Sequence, residues 1–346
     1  MEYLILQDPG HNKVYYKESK KLCAAELSIA LRSIAVEEFE VSLKTLSSVD
    51  YLHLKLEKEL SRDAIALISR LSFCFAIFSL KEIDGETYLK SVDKYKEEYL
   101  PEKISTILRY PGKTNELFTR MMINVALFSS DYDFSDDIKL LDPISGRGTT
   151  LYEAATAGFD VYGVEIDKNS ALDCFTFFKK FLSKEKFKHK AEKHRVNPKS
   201  KELAHTVYDI SYEANNDSSQ RKEFKIVCGN TKDTNKFYKK ESFHLVVGDL
   251  PYGVAHGNVA KKKSSKDSFT RSPKALIELA ASDWYKALKT GGVIVLAWNS
   301  FVEERSELEA VLEAKGFSIL NDDIYRDFEH MVDSSIKRDI VLAKKN

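Results

Sequence analysis

Asp142, Gly146 and Gly148, in the run LLDPISGRGTT at residues 140–150, place a carboxylate and two residues without side chains in the turn after an apolar stretch. Glycines there let the backbone come close to a ligand, and Thr149 and Thr150 then open a helix. The third glycine of a dinucleotide fingerprint is missing, because Leu151 stands three residues past Gly148. A second apolar stretch ends in GVEID, which puts Glu165 where its carboxylate can take both hydroxyls of a ribose. A third ends in CGN, and the Asn230 amide can meet an adenine edge. This series suits a nucleoside without pyrophosphate. A fourth stretch, VVGDLPYG, ends on an acid, a proline and an aromatic: Asp249, Leu250, Pro251 and Tyr252.

These residues need strands to carry them. From residue 138 strands and helices alternate as in a doubly wound α/β fold, which binds ligands at the carboxyl ends of its strands. The expected architecture is a mostly parallel seven-stranded sheet with a terminal antiparallel strand, spanning residues 101–346 and preceded by a small α+β domain at residues 1–100. In that first part, period-2 stretches interrupted by two helices, over residues 22–33 and 63–78, suggest a ferredoxin-like sandwich with a possible RNA-binding role. The charged, Tyr-rich stretch 92–103 reads as a linker. Pro111-Gly112 then turns the chain, and Thr114 can cap a helix leading into the main domain. Residues 184–224 break the rhythm, starting densely basic and ending polar; they read either as a solvated, partly disordered surface insertion or as an arm that contacts phosphates.

At 346 residues and 43% hydrophobic content the chain can bury a sizeable core. Lys+Arg and Asp+Glu are equal at 53 each, so contact with nucleic acid must come from local basic patches and not from a global field. Arg70 cuts the longest apolar stretch, residues 65–80, and the amino terminus has no long apolar core, so neither a membrane span nor a signal peptide is expected. Cys23, Cys74, Cys174 and Cys228 are scattered without zinc-like spacing and read as reduced core residues of a cytoplasmic protein with no metal site. No feature indicates an oligomer, which favours a monomer.

The order of strand, D-x-x-x-G-x-G, acid after the second strand, polar residue after the third and D-L-P-Y after the fourth resembles the class I S-adenosylmethionine-dependent methyltransferases. The resemblance covers residues 105–346. It implies S-adenosyl-L-methionine as cofactor, with Ser145 and Thr149 among the residues that bind it: Gly146 and Gly148 line the methionine moiety, Asp142 sits near its amino group, Glu165 holds the ribose and Asn230 the adenine. Asn230 departs from the Asp that such enzymes more often carry, but its amide oxygen can accept from the adenine amine.

Asp249-Leu250-Pro251-Tyr252 resembles the (Asn/Asp/Ser)-Pro-Pro-(Tyr/Phe/Trp) motif of enzymes that methylate planar nitrogens. A base amine is a poor nucleophile because its lone pair is delocalised into the ring, so it must be oriented and its hydrogens accepted. The Asp249 carboxylate and Leu250 carbonyl can accept them, Pro251 stiffens the turn, and Tyr252 offers a face for a base flipped out of its helix. The variant DLPYG is most similar to the RNA methylase family that includes the THUMP-bearing tRNA guanosine N2-methyltransferases. PGKTNELFTRMMINVAL before the donor strand and VDSSIKRDIVLAKK near the end resemble that family too, whereas the first hundred residues are too short to include a THUMP module.

Lys261 to Lys263 and Arg271 follow the motif and either grip phosphates or form a solvated loop. His244 and His256 read as satisfied polar or surface residues, and Trp284 and Trp298 as packing residues. The expected function is methylation of an exocyclic base amine of RNA, guanine N2 in tRNA first. Alternatives are a DNA adenine or protein glutamine N-methyltransferase and a non-catalytic nucleic-acid-binding protein of the same fold.

Overall fold

The computed structural model describes residues 1–95, 97–110, 112–197, 204–252 and 272–346. Its first part runs β1 (Glu2–Gln7), α1 (Lys13–Glu18), α2 (Lys20–Ser33), β2 (Phe39–Leu46), β3 (Val49–Leu56), α3 (Arg62–Ser69), β4 (Cys74–Ile83) and β5 (Glu86–Val92). The strands pair antiparallel in the order β2-β3-β1-β4-β5. The helix expected over residues 63–78 is thus two elements. Helix α3 stops at Ser69, and the aromatic-rich CFAIF is a strand because it fills the free edge of β1, with Ile77 opposite Ile5. Strand β5 went unpredicted: almost all of it is exposed, so no apolar alternation marks it. It is a hairpin strand set by Asp84 and Gly85, whose φ values of 52° and 78° suit a tight two-residue turn.

After α4 (Lys103–Ile107), α5 (Glu116–Phe128) is buried nearly all round. Glu26 of α2 ties it to the turn between α3 and β4, accepting from Asn124 Nδ2 at 2.7 Å and from the Ser72 amide at 2.9 Å. Asn115, and not Thr114, caps α5 by accepting from the Phe118 amide.

The second part runs β6 (Lys139–Asp142), α6 (Thr149–Thr156), β7 (Asp160–Glu165), α7 (Lys168–Lys184), β8 (His189–Val196), β9 (His205–Glu213), β10 (Arg221–Cys228), α8 (Thr234–Phe237) and β11 (Phe243–Asp249). It ends with α9 (Pro273–Ala287), β12 (Leu288–Asn299), α10 (Arg305–Ala314), β13 (Ser318–Ile319), β14 (His330–Asp333) and β15 (Ile336–Lys344). These strands form one sheet of order β13-β15-β12-β11-β6-β7-β10-β9-β8, with β14 on β15. Strands β10, β7, β6, β11 and β12 are mutually parallel, and the rest pair antiparallel. Neighbouring residues face different cores, Leu140 and Val247 one and Leu141 and Val246 the other, so the sheet is covered on both faces.

Among the described residues the sheet has ten strands, not the seven expected. The largest difference is the insertion, which adds β8 and β9 as an antiparallel pair beyond β10. Strand β9 buries Tyr208, Ile210 and Tyr212, with Tyr208 against Phe175 and Tyr212 against Phe178 of α7. That burial explains why the segment folds; the density of charge on the exposed β8 hid the alternation in β9.

Candidate active site

The parallel strands β6 and β11 deliver their carboxyl ends to a cavity of about 480 Å³, which Ser170 of α7 also lines. Asp142, Ser145, Gly146 and Thr149 line one part of it, and Asp249, Leu250, Pro251 and Tyr252 another. The turn between β6 and α6 takes left-handed backbone at Gly146 and Gly148, with φ of 52° and 91°. At Gly148 space forbids any side chain as well, since a Cβ would lie 2.3 Å from Cys174 Sγ. Gly148 is the N-cap of α6 and supplies no side-chain acceptor, which leaves the first N–H groups of the helix open to an anion.

Asp142 is buried at the end of β6 and accepts from the Ile144 amide at 3.1 Å. Burial, with the nearby Glu165 and Asp249 carboxylates, pushes its carboxyl up to about 7. A water-poor site that gathers acids in this way is complementary to a cation.

Glu165 accepts from the Gly146 amide through Oε2 and from the Asp167 amide through Oε1, both at 2.7 Å. Burial raises its pKa, and these two bonds oppose the rise. It therefore fixes the glycine turn from behind and is not on the cavity wall. Asn230 lies off the wall too, capping a short turn by accepting from the Lys232 amide at 3.1 Å.

On the acceptor side, Asp249 is already engaged. The Tyr252 hydroxyl donates to its Oδ1 at 2.6 Å and its Oδ2 at 2.5 Å, and Thr114 Oγ1 donates to Oδ2 at 2.5 Å. Arg338 donates to the Tyr252 hydroxyl and lies 4.0 Å from Asp249 Oδ2. Its guanidinium also sits over the rings of Phe118 and Tyr252, at 4.7 and 5.1 Å. Tyr252, expected to present a free stacking face, is turned inward onto the acid and the arginine. Leu250 is buried, and its amide donates to the Ala297 carbonyl at 2.8 Å, which fixes the turn after β11.

Thr114 and Arg338 are the residues that sequence reasoning missed. Thr114 was masked by the rule that a Thr before a helix is a cap. Arg338 carried a readable signal, a charged residue leading the apolar strand RDIVLAKK, and it is 4% exposed. Tyr110 is a further addition, bonded through its hydroxyl to Thr149 Oγ1 at 3.1 Å.

His244 is buried, accepts from the Lys139 amide at 2.8 Å and contacts Lys289 Nζ at 2.7 Å. Burial and Lys289 push its pKa down to about 4, so it is a neutral packing residue. Trp284 and Trp298 are fully buried, as expected. Gly253, His256, Lys261 to Lys263 and Arg271 lie outside the described residues.

Several solved structures are similar to this chain. The T. thermophilus 16S rRNA N2 G1207 methyltransferase RsmC, in complex with AdoMet and guanosine, is 15% identical, with 90% of this chain and 59% of that chain covered and a TM-score of 0.37. A TehB-like SAM-dependent methyltransferase from Corynebacterium glutamicum is 15% identical over 61% of this chain and 81% of that one, at a TM-score of 0.34. An rRNA methylase from Streptococcus thermophilus is 12% identical over 61% and 87%, at 0.33. No curated protein matches the chain. Residues 111–285, half of the chain, match the family described as RMKL-like, methyltransferase domain. From Thr114 through the glycine turn to Asp249 and Tyr252, every residue that lines the 480 Å³ cavity falls inside the matched span or one residue before it, and the chain belongs to the RMKL-like methyltransferase family.

Proposed function

We propose that the protein transfers a methyl group from S-adenosyl-L-methionine to an exocyclic base amine of RNA, with guanine N2 in tRNA as the favoured target. The observation that carries this reading is that the Gly146–Gly148 turn and the Asp249 carboxylate border one cavity. S-adenosyl-L-methionine, when bound, supplies an electrophilic methyl on a sulfonium centre. Asp142 would hold its ammonium, the open start of α6 its carboxylate, and the Glu165 end of β7 its ribose. Asn230 would meet the adenine.

Asp249 has two tasks. It orients the amine by accepting an N–H, and it takes the proton that nitrogen loses once the N–C bond has formed and the C–S bond has broken. Before either, the amine must replace the Tyr252 hydroxyl on the carboxylate. Thr114 and Arg338 keep Asp249 in place during that exchange. Exposed Lys190, Lys193 and Arg195 on β8, with Lys261 to Lys263, supply basic groups for the phosphates of the RNA.

Nucleoside analysis of RNA and DNA from cells with and without the protein tests the proposal. Loss of N2-methylguanosine from RNA is the expected result. Unchanged RNA with altered methyladenine in DNA, or with loss of a methylated protein glutamine, would assign a different acceptor.

A further inference from the structure

A second cavity, of about 390 Å³, meets the first at Thr114. Its walls are residues 11–15 at the start of α1, residues 113–116 at the start of α5, and the β14–β15 hairpin with His330 and Arg338. His330 and Arg338 face each other as register partners and are each 4% exposed. Each carries a buried polar atom without a hydrogen-bond partner among the described residues, His330 Nε2 and Arg338 Nε.

The two atoms have opposite roles. His330 Nδ1 lies 2.9 Å from the Phe328 carbonyl, which can only accept, so Nδ1 holds the hydrogen. Burial and the neighbouring arginine depress the pKa of the ring to about 4, and Nε2 therefore presents a lone pair. Arg338 Nε presents an N–H. Tyr15 and Phe118 pack on the imidazole at 5.8 and 5.0 Å and fix its direction. One acceptor and one donor thus belong to register partners on the wall of this cavity, and Arg338 is also the residue that holds the Tyr252 hydroxyl against Asp249.

Among the RNA bases with an exocyclic amine, this pair matches one. Guanine N2 is flanked by a ring N–H at N1 and a bare nitrogen at N3. Adenine N6 has bare nitrogens on both sides, and cytosine N4 has a bare nitrogen and a C–H. We propose that the second cavity receives the acceptor base and selects guanine, with His330 Nε2 accepting from N1–H and Arg338 Nε donating to N3. This rests on the methyltransferase reading given above and names the groups that choose its substrate. It also gives residues 11–15 a place in the site, as a wall of the base cavity.

The test is nucleoside binding to the full chain in the presence of S-adenosylhomocysteine, followed by ligand-observed NMR. Guanosine should bind about tenfold more tightly than adenosine or cytidine, and 1-methylguanosine, which lacks the N1 hydrogen, about tenfold more weakly than guanosine. In His330→Phe, which keeps a ring between Tyr15 and Phe118, guanosine and 1-methylguanosine should bind alike. Unchanged S-adenosylmethionine affinity in that variant shows that it is folded. Equal binding of the three nucleosides, binding of none, or a 1-methyl penalty that persists in His330→Phe would overturn the assignment. If the assignment fails while N2-methylguanosine still disappears from RNA of cells lacking the protein, the methylation reading stands alone. If no RNA nucleoside changes, that reading falls first.

Discussion

Thr114 Oγ1 donates to Asp249 Oδ2 at 2.5 Å and joins the approach to α5 to the end of β11 across 135 residues. The bond is possible because Asn115 has taken over the cap of α5. The two neighbours should therefore separate function from stability. Thr114→Val should slow methyl transfer about tenfold, as expected for losing a hydrogen bond to a charged group, with little change in the unfolding midpoint. Asn115→Ala should lower stability by about 1 kcal/mol and leave the rate nearly intact. The reverse outcome in denaturant titrations and single-turnover assays would return Thr114 to the role of cap.

If Asp249 orients and deprotonates the amine as proposed, Asp249→Ala should lower the single-turnover rate about a hundredfold or more. Tyr252→Phe tests the contact between the two. Were the ring only a stacking surface, this change would be silent; because its hydroxyl is bonded to both Asp249 oxygens, it should compete with the proposed amine. Its removal should lower the KM for RNA about threefold to tenfold at little cost in kcat. A KM equal to that of the unchanged protein would show that the hydroxyl does not compete.

The contrast between these residues shows what the sequence made legible. Asp142, Gly146, Gly148 and Asp249 were readable because strand ends and glycine turns leave local signatures, and their spacing is set by the sheet. The roles of Thr114 and Arg338 were not, although a charge leading an apolar strand marks Arg338, because those roles depend on partners far along the chain: Arg338 reaches Tyr252 only when β15 inserts antiparallel beside β12. The same holds for the fold. The parallel strands announced themselves as continuous apolar runs, whereas β5 and β8 have mostly exposed side chains and are held by backbone pairing that no side-chain pattern records.

Glu165 offers a prediction with two readouts. Glu165→Ala should weaken S-adenosylmethionine binding by about ten- to a hundredfold through the ribose. It should also lower stability, since the half-buried Gly146 and Asp167 amides lose their acceptor, by about 0.5 to 1.5 kcal/mol for each bond. Glu165→Gln keeps an acceptor oxygen and should recover part of both. Calorimetric titration and thermal unfolding check the pair, and an unaltered melting point in Glu165→Ala would mean that the turn stands without it.

Asp142 makes donor binding depend on pH. Its folded-state carboxyl is raised by burial from an ordinary value near 3.8 to about 7, so the ligand-free protein holds this proton more tightly than the unfolded chain does. The stability it contributes is complete below the unfolded value and is lost as pH rises through about 7. A ligand ammonium reverses the preference, because it favours the carboxylate. Binding between pH 5 and 7 should therefore release up to one proton, and affinity should climb by up to about tenfold per pH unit before levelling off. Titration calorimetry in two buffers of different ionisation enthalpy counts that proton directly. Asp142→Asn should abolish the release, weaken the donor, and make the ligand-free protein more stable at pH 8 than the unchanged chain. An affinity that is flat from pH 5 to 7 in the unchanged protein would place the ligand ammonium elsewhere.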